Sequence, residues 1–269
     1  MIKIIHAIIL GLVQGLTEFL PVSSSAHLNI MPWLFNWEKM SESFDFALHF
    51  GTLLAILIYF FSDWISLISG GVKAVTKKEQ STDGRIFWFL VVATIPAGLV
   101  GALFEKLVDG IIDGNLNAEM ILISIALIVM GFILYFVDKN CKSKITYEKM
   151  NFKQSFIIGI SQALAAAVPG ISRSGITMTV ARANGLDRES AAKYSFLLSA
   201  PIVAGGMVVS LGKFELDAAF FAGILVSFVS GLLVIKFLMK YLKKGSYKGF
   251  AIYRVLLGVL ILVIAITRL

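Results

Sequence analysis

Apolar positions in this chain come in long unbroken blocks, not at the three-to-four-residue spacing of a helix half turned toward water. Residues 86–104, 120–137, 194–212 and 218–235 hold no Asp, Glu, Lys or Arg, and each is long enough as a helix to cross a hydrocarbon core of roughly 30 Å. Two further segments qualify with a blemish. Segment 44–62 carries Asp45 and His49 near its start, and 249–267 carries Arg254, whose long side chain is expected to snorkel toward the headgroups. The pattern predicts six transmembrane helices.

Two other apolar stretches, 4–34 and 155–184, are each interrupted by a proline followed by serines. The halves are short for the roughly 17–25 residues of a span, so each stretch is expected to be a re-entrant hairpin and not a pair of kinked spans. A break at membrane depth frees backbone N–H groups that lipid cannot satisfy, and these must face protein or a wet cavity. Loop charges agree with this reading. Lys73, Lys77, Lys78 and Arg85 in the loop 63–85, Lys139, Lys142, Lys144, Lys149 and Lys153 in 138–153, and Lys240, Lys243, Lys244 and Lys248 in 240–248 mark cytoplasmic loops. Loops 36–43, 106–119 and 213–217 hold only Lys39, Lys106 and Lys213 as basic residues, the second beside Asp109, Asp113 and Glu119, and face outward. The alternation requires hairpin 4–34 to enter from outside and hairpin 155–184 from the cytoplasm, so that they meet at mid-membrane. Both termini are then external. Glu18 and Pro21 interrupt the first apolar run, which therefore does not read as a cleavable signal peptide.

Shifted by 148 residues, the first hairpin superposes on the second without a gap: Gly11 on Gly159, Gln14 on Gln162, Pro21 on Pro169 and Ser24 on Ser172, with Phe46 on Tyr194 beyond. The expected halves are 1–140 and 150–269, each one hairpin and three spans. An odd number of spans turns the second copy upside-down, an arrangement that commonly places a site where broken helices meet near the midplane.

Composition sharpens the class. With 58% hydrophobic and 15% charged residues and a mean hydropathy of +0.86, this is an all-α polytopic membrane protein and not a soluble domain. The net charge of +7 sits in short loops, where it reports topology, so no nucleic-acid partner is expected. Cys141 is the one cysteine, which excludes an intramolecular disulfide.

Candidate chemistry gathers at the two breaks. In the first hairpin Gln14 and Glu18 stand four apart on one helix face, and Ser24 and His27 three apart on the helix that restarts after Pro21. A carboxylate and an imidazole beside the three serines Ser23, Ser24 and Ser25 are equipment for moving a proton. In the second hairpin Pro169-Gly170 feeds Ser172-Arg173-Ser174-Gly175 at a helix start, with Thr177 one turn on. Free N–H groups, hydroxyls, the positive helix end and a guanidinium together make an anion site. Capping alone would need only one of those serines.

The segments Q-G-L-T-E-F-L-P-V-S-S-S-A-H (14–27) and P-G-I-S-R-S-G-I-T (169–177) resemble the two signature motifs of the bacterial undecaprenyl-diphosphate phosphatases, the bacitracin-resistance family. The likeness extends over the whole chain, in length, six spans and two inverted re-entrant hairpins. It implies hydrolysis of the C55 isoprenoid diphosphate to the lipid monophosphate and inorganic phosphate at the extracytoplasmic side of the plasma membrane. That reaction recycles the carrier for peptidoglycan synthesis and confers bacitracin resistance. It also implies a divalent cation, Mg²⁺ or Ca²⁺, with Glu18 as its motif ligand. The family's first motif opens on Glu or Gln. Here it is Gln14, which puts in question any mechanism or metal site that needs two motif carboxylates.

On this reading Arg173, with Ser172, Ser174, Gly175 and Thr177, clamps the diphosphate and stabilises charge on the transferring phosphoryl. Gln14, Ser23 and Ser25 contact substrate, and Glu18 and His27 are the acid/base candidates. Ser24 is either the nucleophile or the group that orients an attacking water. The alternative is a transporter or flippase of a polyprenyl phosphate, using the same anion site without cleavage. An inert scaffold would leave buried charges without a role. The pair Gly205-Gly206 would allow close helix packing within the bundle or between the protomers of a homodimer.

Overall fold

A computed structural model describes residues 2–38, 40–112, 116–142, 144–209 and 216–268, and these are helical apart from loops and one bridge between Ile145 and Leu186. The stretch 4–34 forms α1 (Ile2–Thr17) and α2 (Ser24–Phe35), split at Pro21. Then follow α3 (Glu42–Tyr59), α4 (Phe61–Thr76), α5 (Thr82–Ile112) and α6 (Leu116–Asn140). The stretch 155–184 forms α7 (Phe152–Ile160), α8 (Gln162–Ala167) and α9 (Arg173–Ala183), split at Pro169, and α10 (Arg188–Val209), α11 (Ala218–Leu242) and α12 (Lys248–Thr267) complete the chain. Residues 210–212 of one expected span, with Lys39, Asp113 and Lys213, lie outside the described residues.

Among the described residues α6, α10, α11 and α12 are each long and apolar enough to cross a membrane. Helices α3 and α4 pass that test together but are bent by 78° at Phe60. The segment 63–85, expected as a cytoplasmic loop, is thus largely helix. Its apolar residues are periodic: Phe61, Ile65, Ile68, Val72 and Val75 form one exposed stripe, while Leu67, Gly70 and Gly71 are buried, the glycines against Gly84 and Phe87 at the start of α5. Reading for unbroken apolar blocks overlooks a helix with one polar face.

Small residues draw the bundle together. Cβ atoms on Gly15 of α1 and Gly51 of α3 would fall 1.9 and 2.0 Å from the hydroxyls of Ser230 and Ser227, so both helices back directly onto α11. Helix α12 lies along α6 in the same way, with Gly131 and Gly258 at the contact. At one end of the bundle the buried carboxylate of Asp138 accepts from Arg182 Nε (3.1 Å), Arg188 Nε (2.7 Å) and the Tyr247 backbone N–H (3.1 Å). That network ties α6, α9, α10 and α12 at a point where charges would otherwise be buried unpaired. Within the bundle Gly205 and Gly206 make no close helix contact: among the described residues no atom beyond their own helix surroundings comes within 4 Å of a Cβ built on Gly205, and at Gly206 the neighbour is Phe46 at 3.8 Å.

Candidate functional site

The two helix breaks are built alike. Ser23 (φ 76°) and Ser172 (φ 73°) take a left-handed backbone rare for a residue with a side chain, and each caps the helix that follows. Ser23 Oγ accepts from Ala26 N (3.3 Å) and touches Ser25 Oγ (3.2 Å), while Ser172 Oγ accepts from Gly175 N (3.0 Å) and touches Ser174 Oγ (3.3 Å). The matched caps are 149 residues apart, one more than Pro21 and Pro169, so the gap-free superposition of Ser24 on Ser172 is corrected to Ser23 on Ser172. The extra residue belongs to the Pro169–Ser172 turn, where Gly170 sits at φ +95° with only 2.9 Å between its would-be Cβ and Ile123 O.

Both breaks face a cavity of about 740 Å³, lined on its polar side by Glu18, Ser24, Ser25, His49, Thr94, Gln162, Ser172, Arg173 and Ser174. Phe46, Ile95, Leu99, Pro201 and Ile202 form much of its apolar wall, and Gly205 and Gly206 open onto it. At its floor Glu18 is 9% exposed and fully engaged. Oε1 is paired with Arg173 Nη2, and Oε2 accepts from Ser24 Oγ (2.5 Å) and Gln14 Nε2 (3.1 Å), with His49 Nδ1 at 3.7 Å. Ser174 Oγ donates to the Glu18 carbonyl (3.0 Å) and approaches that of Leu20 (3.2 Å), stitching the second hairpin to the first.

Of the residues expected at the site, Glu18, Ser24, Ser25, Ser172, Arg173 and Ser174 come together in this cavity. Gln14, Ser23, His27, Gly175 and Thr177 do not line it. Gln14 and Thr177 are wholly buried, the first holding Glu18, the second bonded to Ser195 Oγ (2.6 Å) and the Arg173 carbonyl (2.8 Å). His27 points elsewhere: its Nδ1 is 2.7 Å from the Ser23 carbonyl and its Nε2 2.6 Å from the Tyr253 hydroxyl, so both nitrogens are spoken for.

Four polar residues carry no role in the sequence reading. His49, Thr94 and Gln162 line the cavity from outside the motif cores, and Gln162 is signalled by its match to Gln14. Arg254 does not snorkel. It is 0% exposed, donating from Nη1 to the Pro21 carbonyl (3.1 Å) and from Nη2 to those of Gly170 (2.9 Å) and Ile171 (3.0 Å), which spans both breaks. An arginine inside an apolar run with no nearby acid was the available signal. Chain-break carbonyls, which sequence does not display as anions, are its partners.

A cage for a divalent cation made of protein alone is not present: among the described residues no three His, Cys, Asp or Glu side chains converge. Glu18 offers one carboxylate already held by Arg173, beside the Ser24 hydroxyl. That donor set fits a hard cation only if substrate phosphates and water supply most of the coordination.

Comparison with known proteins covers nearly the whole chain. The family model described as "Bacitracin resistance protein BacA" matches residues 7–260. The chain is 50% identical over 268 residues to an undecaprenyl-diphosphatase of Caldicellulosiruptor bescii, covering 98% of each chain. It is 46% identical over 264 residues to that of Moorella thermoacetica, covering 97% of each. To that of Elusimicrobium minutum it is 43% identical over 267 residues, covering 98% of this chain and 99% of the other.

Proposed function

The chain belongs to the bacitracin resistance protein BacA family, and from that premise we propose that it is an undecaprenyl-diphosphatase acting at the cavity between the two hairpins. It is a multi-pass membrane protein that hydrolyses undecaprenyl diphosphate to undecaprenyl phosphate and inorganic phosphate, returning the lipid carrier to cell-wall synthesis and conferring bacitracin resistance. The observation that carries the placement is the Glu18–Arg173 ion pair at the floor of a cavity with an apolar wall.

The diphosphate supplies the anion that Arg173 lacks apart from Glu18. As its terminal phosphate takes the guanidinium and the hydroxyls of Ser172 and Ser24 at the helix starts, Glu18 is released from Arg173 and becomes the proton acceptor. Ser24 Oγ already donates to Glu18 at 2.5 Å, which supports Glu18, and not His27, as the base for the attacking oxygen. That oxygen is the Ser24 hydroxyl or a water that Ser24 orients. In either case it bonds to the terminal phosphorus, the bridging oxygen leaves with undecaprenyl phosphate, and Arg173 stabilises the charge. On the Ser24 route water then attacks the same phosphorus, breaking its bond to Ser24 Oγ and releasing inorganic phosphate, and on either route Glu18 gives up the proton it took to solvent or to the departing phosphate. A divalent cation, Mg²⁺ or Ca²⁺, would be held by Glu18 with the phosphates and would neutralise their charge.

The same reading takes the molecule as six spans and two hairpins in inverted halves, 1–140 and 150–269, with the cavity open to the outer face and both termini outside. In support, Phe46 of the apolar wall lies in the first turns of α3, just after the basic-poor loop 36–43. A homodimer remains compatible with the exposed apolar faces.

The test is phosphate release from a C15 or C55 isoprenoid diphosphate by the purified protein, with and without EDTA, and in parallel the movement of labelled lipid across liposomes. Release by the parent and its loss in Arg173→Ala are expected. Lipid movement with the diphosphate left whole would instead establish the flippase reading.

A further inference from the structure

We propose that His49 is a substrate-binding residue, a neutral N–H donor to the diphosphate whose tautomer is set by Gln14. The proposal rests on the diphosphatase reading above. His49 belongs to α3, outside both motifs, yet its ring lines the cavity with the side chain 30% exposed. Its Nδ1 lies 3.0 Å from Gln14 Nε2, and that same amide nitrogen lies 3.1 Å from Glu18 Oε2.

The chemistry of these three groups leaves one arrangement. A carboxylate only accepts, so it holds the Gln14 amide with its NH₂ and not its oxygen toward Glu18. One N–H is spent on Glu18, and the other is directed at His49 Nδ1, which must therefore accept. An imidazole that accepts at Nδ1 carries its proton on Nε2 when neutral. The opposite edge of the ring, with Nε2, is the part left for the cavity. Among the described residues Gln14 Oε1 is buried without a partner, so the amide is oriented by Glu18 and His49 and not by a bond of its own oxygen.

A donor at this place suits a phosphate oxygen. Arg173 brings the positive charge, and a neutral N–H beside Glu18 adds direction without a second cation competing for the same carboxylate. Gln14 is then a positioning residue that acts through His49 and Glu18, which explains why a motif residue is sealed off from the cavity.

The experiment uses the full-length protein in detergent and an isoprenoid diphosphate substrate. His49→Phe, which keeps a flat ring without the donor, should lower kcat/KM about 100-fold. His49→Gln, which restores an N–H, should recover to within about tenfold of the parent, and thermal unfolding checks that both variants are folded. Imidazole ¹⁵N spectra of the parent should show Nε2 protonated and Nδ1 bare. In Gln14→Glu, where a carboxylate replaces the amide, Nδ1 should become protonated. Parental kinetics in a folded His49→Phe, or an Nδ1–H tautomer in the parent, overturns the proposal while leaving the diphosphatase reading intact. A parent that releases no phosphate overturns both.

Discussion

The two helix breaks share a backbone and differ in their chemistry. Each is a serine at positive φ capping a short helix, with a second serine two residues on. Around that common device matched positions diverge, among them Glu18 with Ala166, 148 residues on, and Ser24 with Arg173, Ala26 with Gly175 and His27 with Ile176, 149 residues on. The first break therefore offers a carboxylate and hydroxyls, the second a guanidinium. Ala166 lines the same cavity as Glu18, so the second break leaves room where the first places charge. Neither is a site alone. What the difference teaches is that the caps hold two helix starts at one place, so that on the proposed reading the reactive set is assembled across the seam between them.

The largest effect should come from breaking that seam. Arg173→Ala removes the guanidinium on which a phosphoryl group would rest, and phosphate release should fall about 1000-fold. Arg173→Lys should recover little, because an ammonium lacks the planar fork that can hold Glu18 or a phosphate through two N–H groups. If the breaks act as one unit, Glu18→Ala combined with Arg173→Ala should be no slower than the worse single variant. Losses that multiply in the double variant would mean two separable roles and would dissolve the comparison.

Next in size is the residue that both breaks share. Arg254→Met keeps an unbranched apolar stem and strips four carbonyls, those of Leu127, Pro21, Gly170 and Ile171, of their donor. Leaving such groups buried and unpaired should cost on the order of 3 kcal/mol, lowering the melting temperature by about 6–12 °C. A melting curve in detergent checks this. An unchanged midpoint would show that each break holds its shape unaided.

Much of this arrangement was legible in the sequence, for reasons that differ by residue. Uncharged blocks mark α6, α10, α11 and α12 because lipid tolerates no charge there, and the prolines mark the breaks because they remove an N–H and clash with the preceding turn. Glu18 and Arg173 stood out as charges where none should be. Residues acting through backbone were hidden: Arg254 bonds carbonyls, and Ser23 and Ser172 are matched by φ and not by identity spacing. The spacing of Ser24 and His27 along α2 does not fix which way the His27 ring turns, and the ring lies outside the cavity lining. The amphipathic α4 does not show as an unbroken apolar block because its apolar residues recur periodically between polar ones.

The smallest predicted effect is the finest test of likeness between the breaks. Ala26 and Gly175 occupy the same place, three residues past the capping serine, and each donates its N–H to that serine. Yet a Cβ on Gly175 would lie 2.7 Å from Arg254 Nη1 and 3.0 Å from Ser172 Oγ, so the arginine that joins the breaks fills the space that a methyl group occupies in the first. Gly175→Ala must push a buried guanidinium or the cap itself, at about 1–3 kcal/mol. Ala26→Gly loses only helix propensity and a methyl contact, about 1 kcal/mol. Because Gly175 adjoins Arg173 and Ala26 adjoins Ser24 at one remove, phosphate release should fall further in the first variant than in the second. Equal midpoints and equal rates for the two would show that Arg254 yields without consequence, and that the breaks are interchangeable at this position after all.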